Sequence, residues 1–206
     1  QEETQHAVTR LQPLIDEALK LLRARLPAMI HIRSKYSDDL PSVSVDVTQI
    51  HQVIMNLCTN PAHAMGEKGG LLKVEADHLL VDEDLAGTSA DLHQGHYVRI
   101  VISDTGCGMS KDILDRIFEP FFTTKGPKHG TGLGLSVVHG IIRNHEGAIS
   151  VHSEPGKGTA FKIYLPVAVS GVSQEQTVPT KLVRGQGECI MYVDDEELLV
   201  YLMTRM

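Results

Sequence analysis

Apolar residues recur at helical spacing from Leu11 through Leu14, Ile15, Ala18 and Leu19 to Leu22, and Pro27 ends that pattern before the strand-like stretch Met29 to Arg33. A second amphipathic helix is predicted from a cap at Asp46 or Thr48 to about Met65. Gly69-Gly70 then turns the chain into an alternating strand near Leu71 to Leu80. Asp82 to Gly95 reads as a polar loop and His96 to Ser103 as a buried strand. Asp104 to Met109 breaks that strand, and a short helix follows around Lys111 to Ile117. The glycine-rich stretch Gly126 to Gly134 leads into a helix beginning near Leu133. Two further strands, Ala148 to Ser153 and Thr159 to Leu165, flank the turn sequence Glu154-Pro155-Gly156-Lys157-Gly158 and are expected to form an antiparallel hairpin.

This order predicts an α/β two-layer sandwich with helices on one face of a mixed sheet. From Val167 to Gln186 the composition turns to Ser, Thr, Gln and Gly, as in a linker, and structure is expected to resume at Glu188. The expected organisation is the end of an upstream dimerisation helix or a linker over residues 1–10, one domain over 11–167, a linker over 168–187 and the start of another domain over 188–206. Because the chain begins at Gln1 and ends at Met206 within a helix-like pattern, it is expected to be a piece of a longer protein.

Composition narrows the function classes. A formal net charge of -7 argues against binding to a nucleic-acid backbone. Cys58, Cys107 and Cys189 lie far apart without CxxC pairing, so neither a zinc site nor a disulfide framework is signalled, and a reducing cytoplasm fits best. No run approaches the roughly 20 apolar residues that span a bilayer, and the start lacks the order of a signal peptide, so no membrane contact is expected of this piece.

Three constellations carry candidate chemistry. Asn56 and Asn60 lie four residues apart on the second helix and share a face, opposite the apolar Ile50, Val53, Ile54 and Leu57. An Asn60 oxygen is a suitable hard ligand for a phosphate-bridging Mg²⁺, although two helical asparagines seen alone are ordinary solvent-facing or capping residues. Asp104-Thr105-Gly106-Cys107-Gly108-Met109 follows an apolar strand. A carboxylate fixed there accepts a hydrogen bond from an exocyclic amino group, and glycines let the backbone approach a flat ring. An Asp-Gly turn is the plain alternative. Gly130-Thr131-Gly132-Leu133-Gly134-Leu135 enters a helix whose first N–H groups and dipole suit phosphate, with Lys125 and Lys128 upstream. It matches neither a Rossmann fingerprint nor a P-loop. Between the last two lies Ile117-Phe118-Glu119-Pro120-Phe121-Phe122-Thr123-Thr124-Lys125, which holds three of the chain's four phenylalanines and suits either core packing or the anchor of a lid.

In this order the blocks resemble the N, G1, F and G2 boxes of histidine-kinase catalytic domains, which share an ATPase superfamily with gyrase B, Hsp90 and MutL. The resemblance spans about Leu11 to Pro166 and implies a Bergerat-type fold that binds ATP with Mg²⁺. By motif position it implies a catalytic set of Asn56, Asn60 and Lys125, with Asn60 the Mg²⁺ ligand. Asp104 matches the aspartate that binds the adenine amino group, Gly106 and Gly108 its turn, and Thr159 a threonine beside the adenine site. His63, Met109, Phe118, Thr124, Lys125, Gly130, Thr131, Gly132, Leu133, Gly134 and Leu135 complete the implied nucleotide contacts. One departure is Pro61, where the family pattern has alanine. A proline there costs about 3 kcal/mol unless the helix kinks, and a mild kink that leaves Asn60 in place is expected.

The stretch Cys189 to Glu197 resembles the first strand and acidic pair of a receiver domain, with Asp194 and Asp195 as part of an incomplete Mg²⁺ site. None of the 11 histidines has the sequence context of the family's phosphoacceptor, so the resemblance implies an acceptor on an upstream dimerisation domain outside this chain. His51, His63, His139 and His145 lie on or beside helices near the site, and surface or packing roles are expected of them. The rivals are a conformational ATPase, which needs a general base where this chain has Asn56, and an inactive nucleotide-binding module. The helix from Gln49 to Met65 contains no carboxylate, which favours transfer over hydrolysis.

Overall fold

The computed structural model describes residues 6–66, 69–87, 91–124 and 131–168, with His63 described by its backbone alone. The predicted linker and the start of the following domain, with Asp194 and Asp195, lie outside the described residues apart from Ala168.

Helix α1 covers Leu11–Arg25, and all six of its periodic apolar residues are buried. Where the end of a helix or a linker is expected, Ala7–Thr9 instead form strand β1, whose backbone groups pair antiparallel with β3 (Val43–Val45). Between them β2 runs over Ile30–Tyr36, longer than the predicted strand. Helix α2 covers Val47–Met65. Asp46 caps it, with its Oδ1 accepting the Gln49 N–H at 3.0 Å, so one orphan donor of the first turn is satisfied. The helix continues through Pro61.

Strand β4 (Gly70–Val81) is followed by a single-turn helix α3 (Glu83–Ala86) within the predicted polar loop, and then by β5 (Gly95–Asp104). The helix α4 stops at Leu114, having begun at Lys111. Helix α5 spans Gly134–Asn144, and β6 (Ala148–Glu154) and β7 (Gly158–Pro166) form the predicted hairpin.

The main sheet has the order β2-β4-β5-β7-β6. Only β2 and β4 run parallel, the other neighbours being antiparallel. Alternation along the strands decides its two faces. Leu72, Val74 and Ala76 of β4, Val98, Ile100 and Ile102 of β5, and Phe161, Ile163 and Leu165 of β7 join the buried side chains of α1, α2 and α5 in one core. The opposite face carries ion pairs such as Lys73 with Glu75 and Arg99 with Asp77. This is the expected α/β sandwich with helices on one face of a mixed sheet. Cys58 lies in the core, where burial pushes its thiol up to about 12; Cys107 is exposed.

Candidate functional site

Strand β5 ends at Asp104, directly beneath the end of α2, and the turn that follows is held from both sides. The Asp104 Oδ1 accepts the Gly106 N–H at 2.7 Å, and the Thr159 backbone N–H also donates to this carboxylate. Burial raises the Asp104 pKa above the ordinary carboxylate range, and these two N–H donors offset part of that rise.

The hairpin clamps the turn. Gly156 N–H donates to Cys107 O at 2.7 Å, and Met109 N–H donates to Ser153 Oγ at 2.8 Å. The Ser153 hydroxyl donates to Gly158 O at 3.0 Å and lies 2.9 Å from Thr159 Oγ1. Its one proton goes to a carbonyl, so the Thr159 hydroxyl is the donor in that pair. Gly108 has φ +66°, and a Cβ there would sit 1.9 Å from Glu154 O. Gly158 has φ +93°, and its Cβ would sit 2.0 Å from Asp104 O. No side chain fits either position.

Helix α2 supplies the facing wall through Asn60, Pro61 and Ala64. Its last turn is joined to the Asp104 turn, where Cys107 N–H donates to Ala64 O at 3.0 Å and so satisfies a carbonyl at the helix end. Asn56 lies one turn back and donates from Nδ2 to Gly134 O at 3.4 Å, tying α2 to the start of α5.

The remaining wall comes from Ile113, Ile117, Phe122 to Thr124, Thr131, Gly132, Gly134, Leu135 and Phe161. Phe121 N–H donates to Gly132 O at 3.0 Å; Phe121 has φ +66° and is 75% exposed. Helix α5 opens at Gly134 without a side-chain cap, so its first N–H groups face the pocket end of the helix. The pocket, open on one side, has a volume of about 450 Å³. Asp104 is the sole ionisable side chain besides Cys107 among the described residues that line it.

Residues 45–169 match the profile of the histidine kinase-, DNA gyrase B-, and HSP90-like ATPase family. The chain belongs to that family. Sensor kinase CckA of Brucella abortus is 43% identical over 149 residues, which are 72% of this chain and 16% of that protein. Sensor histidine kinase ZraS of Escherichia coli K12 is 37% identical over 161 residues, 78% of this chain and 31% of that protein. The chain therefore spans less than a third of the length of these relatives. Among solved structures, the catalytic domain of histidine kinase ThkA superposes with a TM-score of 0.64 at 29% identity, covering 79% of this chain and 95% of that one. Full-length ShkA in complex with AMPPNP gives 0.64 at 26% identity, covering 82% of this chain and 33% of that one. The chain carries the ATP-binding catalytic domain of a sensor histidine kinase.

Within this histidine-kinase domain the pocket brings together ten of the sequence-predicted residues: Asn60, Asp104, Gly108, Met109, Thr124, Thr131, Gly132, Gly134, Leu135 and Thr159. Four others stand off its lining. Asn56 ties α2 to α5, Gly106 packs against Ala64, Leu133 is exposed, and Phe118 packs on the core with its ring 5.0 Å from that of His139. Lys125, Gly130 and the His63 side chain lie outside the described residues. Sequence reasoning misses Ala64, Cys107, Ile113, Ile117, Phe122, Thr123 and Phe161 as lining residues, and Ser153 behind Thr159. The only available signal was the i, i+4 spacing of Ile113 and Ile117.

Proposed function

We propose that this domain binds Mg·ATP with its adenine over the Asp104 turn and donates the γ-phosphoryl group to a histidine on a separate, upstream dimerisation domain in the cytoplasm. The observation that carries this reading is Asp104 itself. Its carboxylate is fixed by two backbone N–H groups at the floor of an otherwise largely apolar pocket, so its remaining lone pairs suit an exocyclic amino group.

Thr159 stands beside Asp104, held by Ser153 so that its oxygen keeps acceptor capacity. Asn60 provides a hard oxygen donor, and no carboxylate besides Asp104 competes for charge among the described lining residues, so a cation there would share its shell with phosphate oxygens and water. Mg²⁺ neutralises triphosphate charge when bound. The α5 N-terminus and the Thr131 to Leu135 turn orient the phosphates, with Lys125 as an added charge. Helix α2 carries no carboxylate, and Asn56 spends its amide on Gly134 O, so hydrolysis has no general base on this helix. Residues 188–206, with Asp194 and Asp195, read as the start of a receiver domain, and a receiver or response regulator would take the phosphoryl group onward.

The test is Asp104→Asn. ATP binding, followed by calorimetry with Mg²⁺ present, is expected to weaken about tenfold or more relative to GTP, since one charged acceptor of the amino group is lost. Equal loss for both nucleotides would show that Asp104 does not read the base. The sign of the pH effect follows from the raised pKa. In the apo protein the ionised carboxylate is the disfavoured form, so its contribution to folding stability is present at low pH and is lost as pH rises through the folded pKa. Asp104→Asn is therefore expected not to lower the apo melting temperature at neutral pH. A second measurement supplies a separate polypeptide bearing the dimerisation helix with γ-labelled ATP. Label is expected on that helix and not on this chain; labelling of this chain or rapid phosphate release overturns the transfer reading.

A further inference from the structure

His145, which closes α5, is 2% exposed and takes no part in the pocket. Its Nδ1 lies 2.7 Å from Ile141 O, and its Nε2 accepts the Asp46 backbone N–H at 2.9 Å. A carbonyl only accepts and an amide N–H only donates, so this bonding requires the neutral ring with its proton on Nδ1. The His6 ring stacks on it with centroids 4.6 Å apart and planes 7° from parallel.

Asp46 caps α2, so this bond joins the first turn of α2 to the last turn of α5. A second bond, from Asn56 Nδ2 to Gly134 O, joins the middle of α2 to the opposite end of α5. At a rise of ~1.5 Å per residue, Asp46 to Asn56 and Gly134 to His145 each span about 15 Å. The two ties therefore match in length and bracket an antiparallel helix pair. Between them the contact is apolar, with Val53 and Ile54 in one core with Val138, Ile141 and Ile142. Apolar burial holds helices together without fixing how far one slides along the other, whereas hydrogen bonds are directional. The pocket depends on that slide, because Asn60 on α2 and Gly134 and Leu135 on α5 line it from two sides.

We propose that His145 is a positioning residue for nucleotide binding: its bond to the Asp46 N–H sets α5, and with it the phosphate-facing turn at Gly132 to Leu135, in register with Asn60. The proposal rests on reading the pocket as the ATP site. Its rival is a purely local role, in which His145 only closes the end of α5 through Ile141.

Two amide replacements separate these. His145→Gln carries an acceptor to about the reach of Nε2 but lacks the donor at Nδ1. His145→Asn keeps a donor near Nδ1 and has nothing at Nε2. MgATP titration is expected to show about a tenfold loss for His145→Asn and a change within about threefold for His145→Gln. Amide exchange at Asp46 should accelerate in the Asn variant alone. Equal affinities in the two variants, or a greater loss in the Gln variant, overturn the positioning role. The wild-type ring gives a check that needs no variant: ¹⁵N resonances should report a protonated Nδ1 and a bare Nε2, and the reverse tautomer overturns the proposal. Wild-type protein that fails to bind MgATP overturns the nucleotide reading itself, whereas wild-type binding with indistinguishable variants overturns only the role of His145.

Discussion

At the floor of the pocket, the Asp104 turn is locked by the β6–β7 hairpin through Gly156 N–H to Cys107 O, Met109 N–H to Ser153 Oγ and the Ser153–Thr159 pair, and by α2 through Cys107 N–H to Ala64 O. Across the cavity, Phe121 N–H donates to Gly132 O, and the Phe121 side chain is exposed. Both regions contain glycines at positive φ that face backbone. They differ in what surrounds that backbone. At Gly158 the facing carbonyl belongs to β5, a central strand with hydrogen-bonded neighbours on both sides. At Gly132 it belongs to a turn beside an exposed residue. On the proposed reading the floor meets the base and the far side the phosphates, and among the described residues the printed bonds that hold the floor outnumber the bond between Phe121 and Gly132.

The largest effect expected from this comparison is at the floor. Gly158→Ala places a Cβ 2.0 Å from Asp104 O at a φ of +93°, and neither the strand nor the carbonyl can move without breaking the sheet. A loss of about 3 kcal/mol or more is expected, a fall in melting temperature of roughly 10 °C for a domain of this size. A melting temperature within about 2 °C of wild type would show that the floor yields, and would remove the contrast. Gly132→Ala also meets a forbidden approach, 2.4 Å from the Phe121 carbonyl carbon, but at a turn beside an exposed residue. Its cost is expected to be about 1 kcal/mol in stability, with nucleotide affinity falling by more than stability does. Equal melting shifts for the two variants would break the comparison.

The same division explains what the sequence makes legible. Helices α1 and α2 and strand β5 announce themselves through long apolar periodicities, and each lies in the one core. Strands β1 and β3 have three residues each, too few for any period, and exist because they pair with one another. The end of β2, Ser34 to Tyr36, is held by backbone pairing to Val74 to Ala76, and of its three side chains only that of Tyr36 packs on the core, too little to set up a period. In the pocket, Asn60, Asp104, Gly132 and Thr159 are visible because glycines and polar residues at fixed spacing stand out. Ile113, Ile117 and Phe161 are ordinary apolar residues that become lining only through tertiary placement. His145 reads as one histidine among several, and its partner Asp46 is 99 positions away.

The smallest effect is expected at Pro61, although the sequence singles it out as the family departure. Proline has no N–H to donate, so the Leu57 carbonyl lacks the usual helical partner four residues on, and the ring crowds the preceding turn. Against this, α2 runs on through Pro61 to Met65, both Asn60 and Pro61 reach the pocket wall, and the Ala64 carbonyl just beyond is satisfied from the Asp104 turn. The helix end is thus held by contacts that do not depend on residue 61 donating. Proline also narrows the unfolded ensemble, an advantage that alanine forfeits. Pro61→Ala is therefore expected to raise the melting temperature by no more than about 3 °C, the net of a regained helical hydrogen bond and that lost advantage. MgATP affinity is expected to stay within about threefold, because Asn60 is already on the wall in the presence of proline. An affinity change beyond about tenfold in either direction, read by calorimetry, would show that Pro61 sets the angle of Asn60 and that the α2 wall belongs with the locked floor rather than between the two regions.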